Sequence, residues 1–155
     1  MTLSIGQAVP GDAFQTDGNN TLKLTDFKGK PVILYFYPKD DTPGCTLESC
    51  GFRDVHQQLS TLGIQVIGVS RDDVKSHDKF KAKYELNFPL IADTDDRLST
   101  AFGVLKEKSM YGRKYMGIER STFLIDAEGV IQKEWRAVSV PGHVDAVVEA
   151  AKALL

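Results

Sequence analysis

The chain has 155 residues, 42% apolar and 26% charged, with a formal net charge of −2. That fits one globular domain spanning 1–155 and shows no basic surplus for nucleic acid or an anionic membrane. The longest apolar run, Val32 to Tyr37, falls far short of the ~20 residues of a spanning helix. Met1 to Gln15 lacks the basic and apolar regions of a secretory signal, so a cytoplasmic location is expected.

In chain order, Asp17-Gly18-Asn19-Asn20 separates two short strand candidates, Ala13 to Gln15 and Thr21 to Lys23, as a hairpin would. Val32 to Tyr37 is a continuous β-branched and aromatic run, the pattern of a strand buried on both faces. A loop, Pro38 to Gly44, follows. Thr46 to Leu62 carries Phe52, Val55, Leu59 and Leu62 at helical spacing and stops at Gly63. Ile64 to Val69 reads as a strand, Asp72 to Tyr84 as a helix, Phe88 to Ala92 as a short strand and Asp95 to Phe102 as a short helix. After an insertion, Ser121 to Ile125 and Val130 to Trp135 form a hairpin through Asp126 to Gly129. His143 to Leu155 is an amphipathic helix. The order implies an α/β fold, a mixed central sheet flanked by helices. The Pro38–Gly44 loop leaves the carboxyl end of a buried strand, where open α/β sheets place their sites.

Two cysteines, Cys45 and Cys50, are too few for a disulfide scaffold. A close pair in a reducing compartment reads as redox-active or metal-binding. Zinc needs four ligands, and the histidines are scattered. Cys45 falls in the first turn of its helix, where free N–H groups and the helix dipole favour a thiolate. An ordinary thiol of pKa ~8.5 is only about 3% ionised at pH 7. Full ionisation therefore gains about thirtyfold at most, partly offset by lower nucleophilicity. Thiolate formation alone therefore does not make this sulfur a fast nucleophile; the site must also stabilise charge on the atom that departs. Thr42 can supply a hydroxyl and Gly44 and Cys45 can supply N–H groups, while Pro38 and Pro43 stiffen the loop and shield the sulfur. A distant cation would complete the set; Arg120, at the start of the strand Ser121 to Ile125, is the first choice, although the sequence by itself does not separate it from the other arginines.

Pro38-x3-Thr42-x2-Cys45 is similar to the signature of the peroxiredoxins. The stretch Tyr35 to Cys50, with Arg120 ahead of Phe123-Leu124-Ile125-Asp126, resembles their bacterioferritin-comigratory (PrxQ) branch. The resemblance implies a thioredoxin-like fold with an added N-terminal β-hairpin and no metal, haem or flavin cofactor. It implies that Cys45 is the peroxidatic cysteine, with Pro38, Thr42 and Arg120 as its activating shell and Glu48 orienting the arginine. The implied substrates are hydrogen peroxide and alkyl hydroperoxides, and the implied reductant is thioredoxin or a similar dithiol protein.

On an ideal helix, residues five apart have Cα atoms about 8.6 Å apart on nearly opposite sides, beyond the roughly 7 Å that a disulfide tolerates. If Cys50 resolves the oxidised Cys45, the helix start must unwind, and Gly51 would make that less costly. An intramolecular pair removes one reason to dimerise, so a monomer is expected. Two rival readings remain: a thioredoxin-like reductase, which expects C-x-x-C rather than C-x4-C, and a redox sensor or holdase using the same switch. His56, His77 and His143 read as ordinary surface residues, and Asp93, Asp95 and Asp96 as a solvated turn capping the next helix.

Overall fold

The computed structural model describes residues 2–155. Its strands are β1 (Ala13–Thr16), β2 (Asn20–Lys23), β3 (Val32–Phe36), β4 (Gln65–Ser70), β5 (Leu90–Ala92), β6 (Leu105–Met110), β7 (Arg113–Ile118), β8 (Ser121–Ile125) and β9 (Ile131–Trp135). Its α-helices are α1 (Pro43–Thr61), α2 (Val74–Tyr84), α3 (Arg97–Ala101) and α4 (His143–Lys152). Seven strands form one mixed sheet in the order β2-β1-β5-β4-β3-β8-β9, and β6 and β7 form a separate ribbon.

The unbroken apolar run of β3 follows from its central place: every residue of the strand is buried. Leu34 and Phe36 face one core with Ile67, Val69, Phe102, Phe123 and the N-terminal hairpin. Ile33 and Tyr35 face the other, with Phe52 and Leu59 of α1, Phe80 of α2 and Val147, Val148 and Ala151 of α4. Each large side chain enclosed in this way contributes about 1.5–3 kcal/mol of burial. The β3–β4 pair is parallel and spanned by α1, whereas β3 and β8 run antiparallel.

Several boundaries differ from the sequence expectation. Helix α1 starts at Pro43, not Thr46, because Thr42 is an extended N-cap and proline suits the first helical position. Leu62 lies past the helix and is 40% exposed. Helix α4 ends at Lys152 rather than Leu155. The insertion is the β6–β7 hairpin, turned by Tyr111 and Gly112, both at positive φ. Most of its residues face solvent, so no alternation of apolar and polar residues marks it.

His77 and His143 are buried, not on the surface; each lies where hydrogen-bond partners replace water. Asp93 is likewise buried, because its carboxylate accepts from the backbone N–H groups of Leu98 and Ser99 at the start of α3. Among the described residues, no helix is long and apolar enough to cross a membrane.

Candidate active site

Strand β3 delivers the chain to the loop before α1. In that helix Pro43, Gly44 and Cys45 precede the first intrahelical bond, which Thr46 N–H donates to the Thr42 carbonyl at 2.8 Å. The N–H groups of Gly44 and Cys45 therefore point outward, unclaimed by the helix. The Cys45 side chain is almost wholly enclosed. Cys50 is half-buried and free, and α1 is continuous through both cysteines.

Antiparallel pairing brings in the distant cation. Phe36 is opposite Ser121, so the residue before β8 meets the end of β3 and the loop that follows. Arg120 sits there, its Nη2 donating to Sγ of Cys45 at 3.2 Å and its Nη1 donating to Oε1 of Glu48 at 2.7 Å. Glu48 lies three residues after Cys45 on the same side of α1, completely buried. Burial pushes its carboxyl up to about 7, against the opposing pull of Arg120.

Behind Glu48 stands His143, the first residue of α4, with Nε2 3.7 Å from Glu48 Oε2 and 2.8 Å from Thr122 Oγ1. Burial, then the positive charge of Arg120, lowers its pKa to about 4. The imidazole is therefore neutral at physiological pH, and its approach to Glu48 is not an ion pair. Among the described residues, none donates a hydrogen bond to Glu48 Oε2.

Two glycines have spatial reasons. A Cβ on Gly44 would lie 3.1 Å from Nη2 of Arg120. One on Gly51 would lie 3.0 Å from Cγ2 of Val144, so Gly51 admits the close approach of α4 as well as loosening its own helix. Thr42 differs from the sequence reading in one respect: its hydroxyl donates to the Lys39 carbonyl at 2.9 Å. That leaves its oxygen free as an acceptor. Pro38, Lys39 and Thr42 line a groove of about 600 Å³ together with Met110, Tyr115 and Met116 of the hairpin and the charged Arg71, Asp72 and Lys108.

The structure thus brings Cys45, Glu48, Arg120 and Gly44 into one cluster, with Pro38 and Thr42 on the adjoining groove and Cys50 farther along α1. Sequence reasoning missed His143, which approaches Glu48 only once α4 packs into place, and Thr122, whose hydroxyl meets the His143 ring; neither carries a local motif. Elsewhere, Asp40, Asp72 and His77 place donor atoms within 4.8 Å of one another. Those atoms are engaged in protein hydrogen bonds, with Tyr37, Ser70, Ser76 and Ile91 among the partners.

The AhpC/TSA family profile matches residues 5–134. A putative Bcp peroxiredoxin of Coxiella burnetii is 55% identical over 148 residues, covering 96% of this chain and 98% of the relative. Peroxiredoxin Bcp of Bacillus subtilis is 51% identical over 152 residues, covering 98% and 97%. The solved structure of the Xanthomonas campestris bacterioferritin comigratory protein is 45% identical with a TM-score of 0.90, covering 97% of this chain and 96% of that one. The central sheet with its flanking helices is the thioredoxin-like fold of these peroxiredoxins. The chain belongs to the AhpC/TSA family and, within it, to the Bcp/PrxQ peroxiredoxins, which are thiol peroxidases.

Proposed function

We propose that Cys45 is the sulfur that reduces hydroperoxides and that Cys50 resolves it. The observation that carries this reading is the guanidinium of Arg120, which spans Sγ of Cys45 and the carboxyl of Glu48. A cation 3.2 Å from sulfur is in place for the negative charge as it moves from sulfur to oxygen. The Cys45 thiolate attacks the near oxygen of ROOH. The O–O bond breaks, sulfur is oxidised to sulfenic acid, and the departing alkoxide takes a proton to leave as ROH. The Thr42 oxygen is disposed to accept the peroxide O–H, and the N–H groups of Gly44 and Cys45, with Arg120, to donate to the oxygens that gain charge. Pro38 closes the loop side without offering a competing donor.

The start of α1 then opens, and the Cys50 thiol condenses with the sulfenic acid, forming the disulfide and releasing water. A thioredoxin-like dithiol protein reduces that disulfide and is itself oxidised. The enzyme acts as a monomer of one domain in the cytoplasm. Substrates are hydrogen peroxide and alkyl hydroperoxides; Met110, Tyr115 and Met116 along the groove offer apolar contacts for an alkyl group. The similar Xanthomonas protein is described as having alkyl peroxide reduction activity.

The test is peroxide consumption coupled to thioredoxin and its reductase. Multiple turnovers that vanish in Cys45→Ser support the reading. A single stoichiometric oxidation without turnover would make the chain a sensor instead.

A further inference from the structure

Ahead of Cys45 the loop is tied to α2 through a histidine that the peroxide chemistry does not use. His77 is fully enclosed. Its Nδ1 lies 2.7 Å from Oδ2 of Asp40 and its Nε2 lies 2.8 Å from the carbonyl oxygen of Ile91. A carbonyl only accepts, so Nε2 carries a hydrogen. Asp40 also accepts the Tyr37 hydroxyl at 2.6 Å and the Ser76 hydroxyl at 2.8 Å. Burial pushes the Tyr37 phenol well above its ordinary range, so it stays protonated and donates. With Nε2 already holding a hydrogen, Nδ1 can donate to Asp40 only when the ring carries both, as the imidazolium.

Burial alone would lower the His77 pKa, but the hydrogen bond and charge of Asp40 outweigh it and the net direction is upward. The remaining charges around the site agree with this. Asp72 accepts the Asp40 N–H at 2.8 Å and the Ser70 hydroxyl at 2.6 Å. Lys81, farther along α2, pairs with Asp17 at 2.8 Å. The neighbouring strands β1 and β5 carry no charged residue. The next loop residue is tied to the same helix, because Asp41 accepts from Lys83 at 2.7 Å and from the Tyr84 hydroxyl at 2.6 Å.

We propose that His77 is a positioning residue: the Asp40–His77 pair fastens the entrance of the Cys45 loop to α2 and so holds the loop in place for the attack on peroxide, apart from the later opening of α1 for Cys50. The inference rests on the reading of Cys45 and Cys50 as the reacting pair. A neutral imidazole has one hydrogen for two acceptors, so the tie is complete below the ordinary histidine value of about 6.5. It weakens as pH rises through the higher folded value.

Two variants separate the roles of the ring nitrogens. His77→Asn keeps a donor near the Nδ1 position, for Asp40; His77→Gln reaches toward Ile91 and leaves Asp40 short of a donor. In quenched-flow mass spectrometry at pH 7, His77→Gln is expected to form sulfenic acid about tenfold more slowly, without slowing the later disulfide step. His77→Asn should stay within about twofold of wild type, and neither variant should show an alkaline decline set by His77. Equal slowing of both steps in both variants, or wild-type rates and pH profile in His77→Gln, overturns the proposal. A second readout does not depend on the cysteine chemistry: hydrogen exchange of the Asp40 amide in the unoxidised protein. Exchange about tenfold faster in His77→Gln is expected, and unchanged protection overturns the tie whatever Cys45 does. Absence of Cys45 oxidation in wild type, with faster Asp40 exchange in the variant, would instead sink the peroxidase reading and leave the tie standing.

Discussion

Arg120 donates from Nη2 to Sγ of Cys45 across 3.2 Å, although 75 residues separate them in sequence. Its other arm is held by Glu48, so the guanidinium is fixed before any peroxide arrives. A preset donor of this kind typically contributes about 10²–10³ in rate. Arg120→Met should therefore lower the second-order rate of Cys45 oxidation by roughly that factor. Arg120→Lys should recover only part of the loss, because an ammonium keeps the charge but not the two-armed geometry. Stopped-flow oxidation by H2O2 checks both.

Glu48 should make the protein less stable in alkali. Its folded pKa is raised by burial from 4.5 to about 7, so the folded state holds a proton that the unfolded chain releases. The stability linked to this group is fully present below about 4.5 and is lost as pH rises through about 7, an effect on the order of 3 kcal/mol. Glu48→Gln cannot lose that proton. Urea unfolding should find the variant gaining on wild type between pH 5 and pH 9; an identical difference at both pH values would contradict the assignment.

Gly44 should separate activity from stability. An alanine Cβ would meet Nη2 of Arg120 at 3.1 Å and push the guanidinium from its place beside sulfur. Alanine is also the better helix former by up to about 1 kcal/mol. Gly44→Ala should thus oxidise about tenfold more slowly while its melting temperature holds or rises. A fall in stability matching the fall in rate would contradict this.

Much of this architecture is legible in the sequence, for identifiable reasons. β3 is readable because burial on both faces leaves an unbroken apolar run, and α4 because one face alone is buried. The loop is readable because Pro38, Thr42 and Cys45 lie close together in the chain. The β6–β7 ribbon is not, because it stands off the main sheet with charges on both faces. Neither is the polar network: Glu48 meets His143 only after α4 packs beside α1, and Asp40 meets His77 only after the Cys45 loop packs against α2. A histidine of that kind looks the same in sequence as one on the surface. Thr42 shows a finer limit, since its position in the motif is plain but the direction of its hydroxyl is set by the Lys39 carbonyl.

Cys50→Ser should leave the first oxidation intact and stop the cycle there. With no thiol to condense, the sulfenic acid persists and excess peroxide carries it to sulfinic acid. Intact mass should show one added oxygen, then a second, and turnover with a dithiol protein should fall by at least about tenfold. Undiminished turnover would mean that an external thiol resolves Cys45. In wild type, formation of the disulfide should cost Thr46 to Phe52 their amide protection, because α1 as it stands holds the two cysteines too far apart.

The most direct measurement is the mass of the protein after one equivalent of hydrogen peroxide, followed by peptide mapping. Loss of two hydrogens, carried by a cross-linked peptide joining Cys45 to Cys50, is the predicted result. An unchanged mass, or oxidation that spares Cys45, would contradict the account.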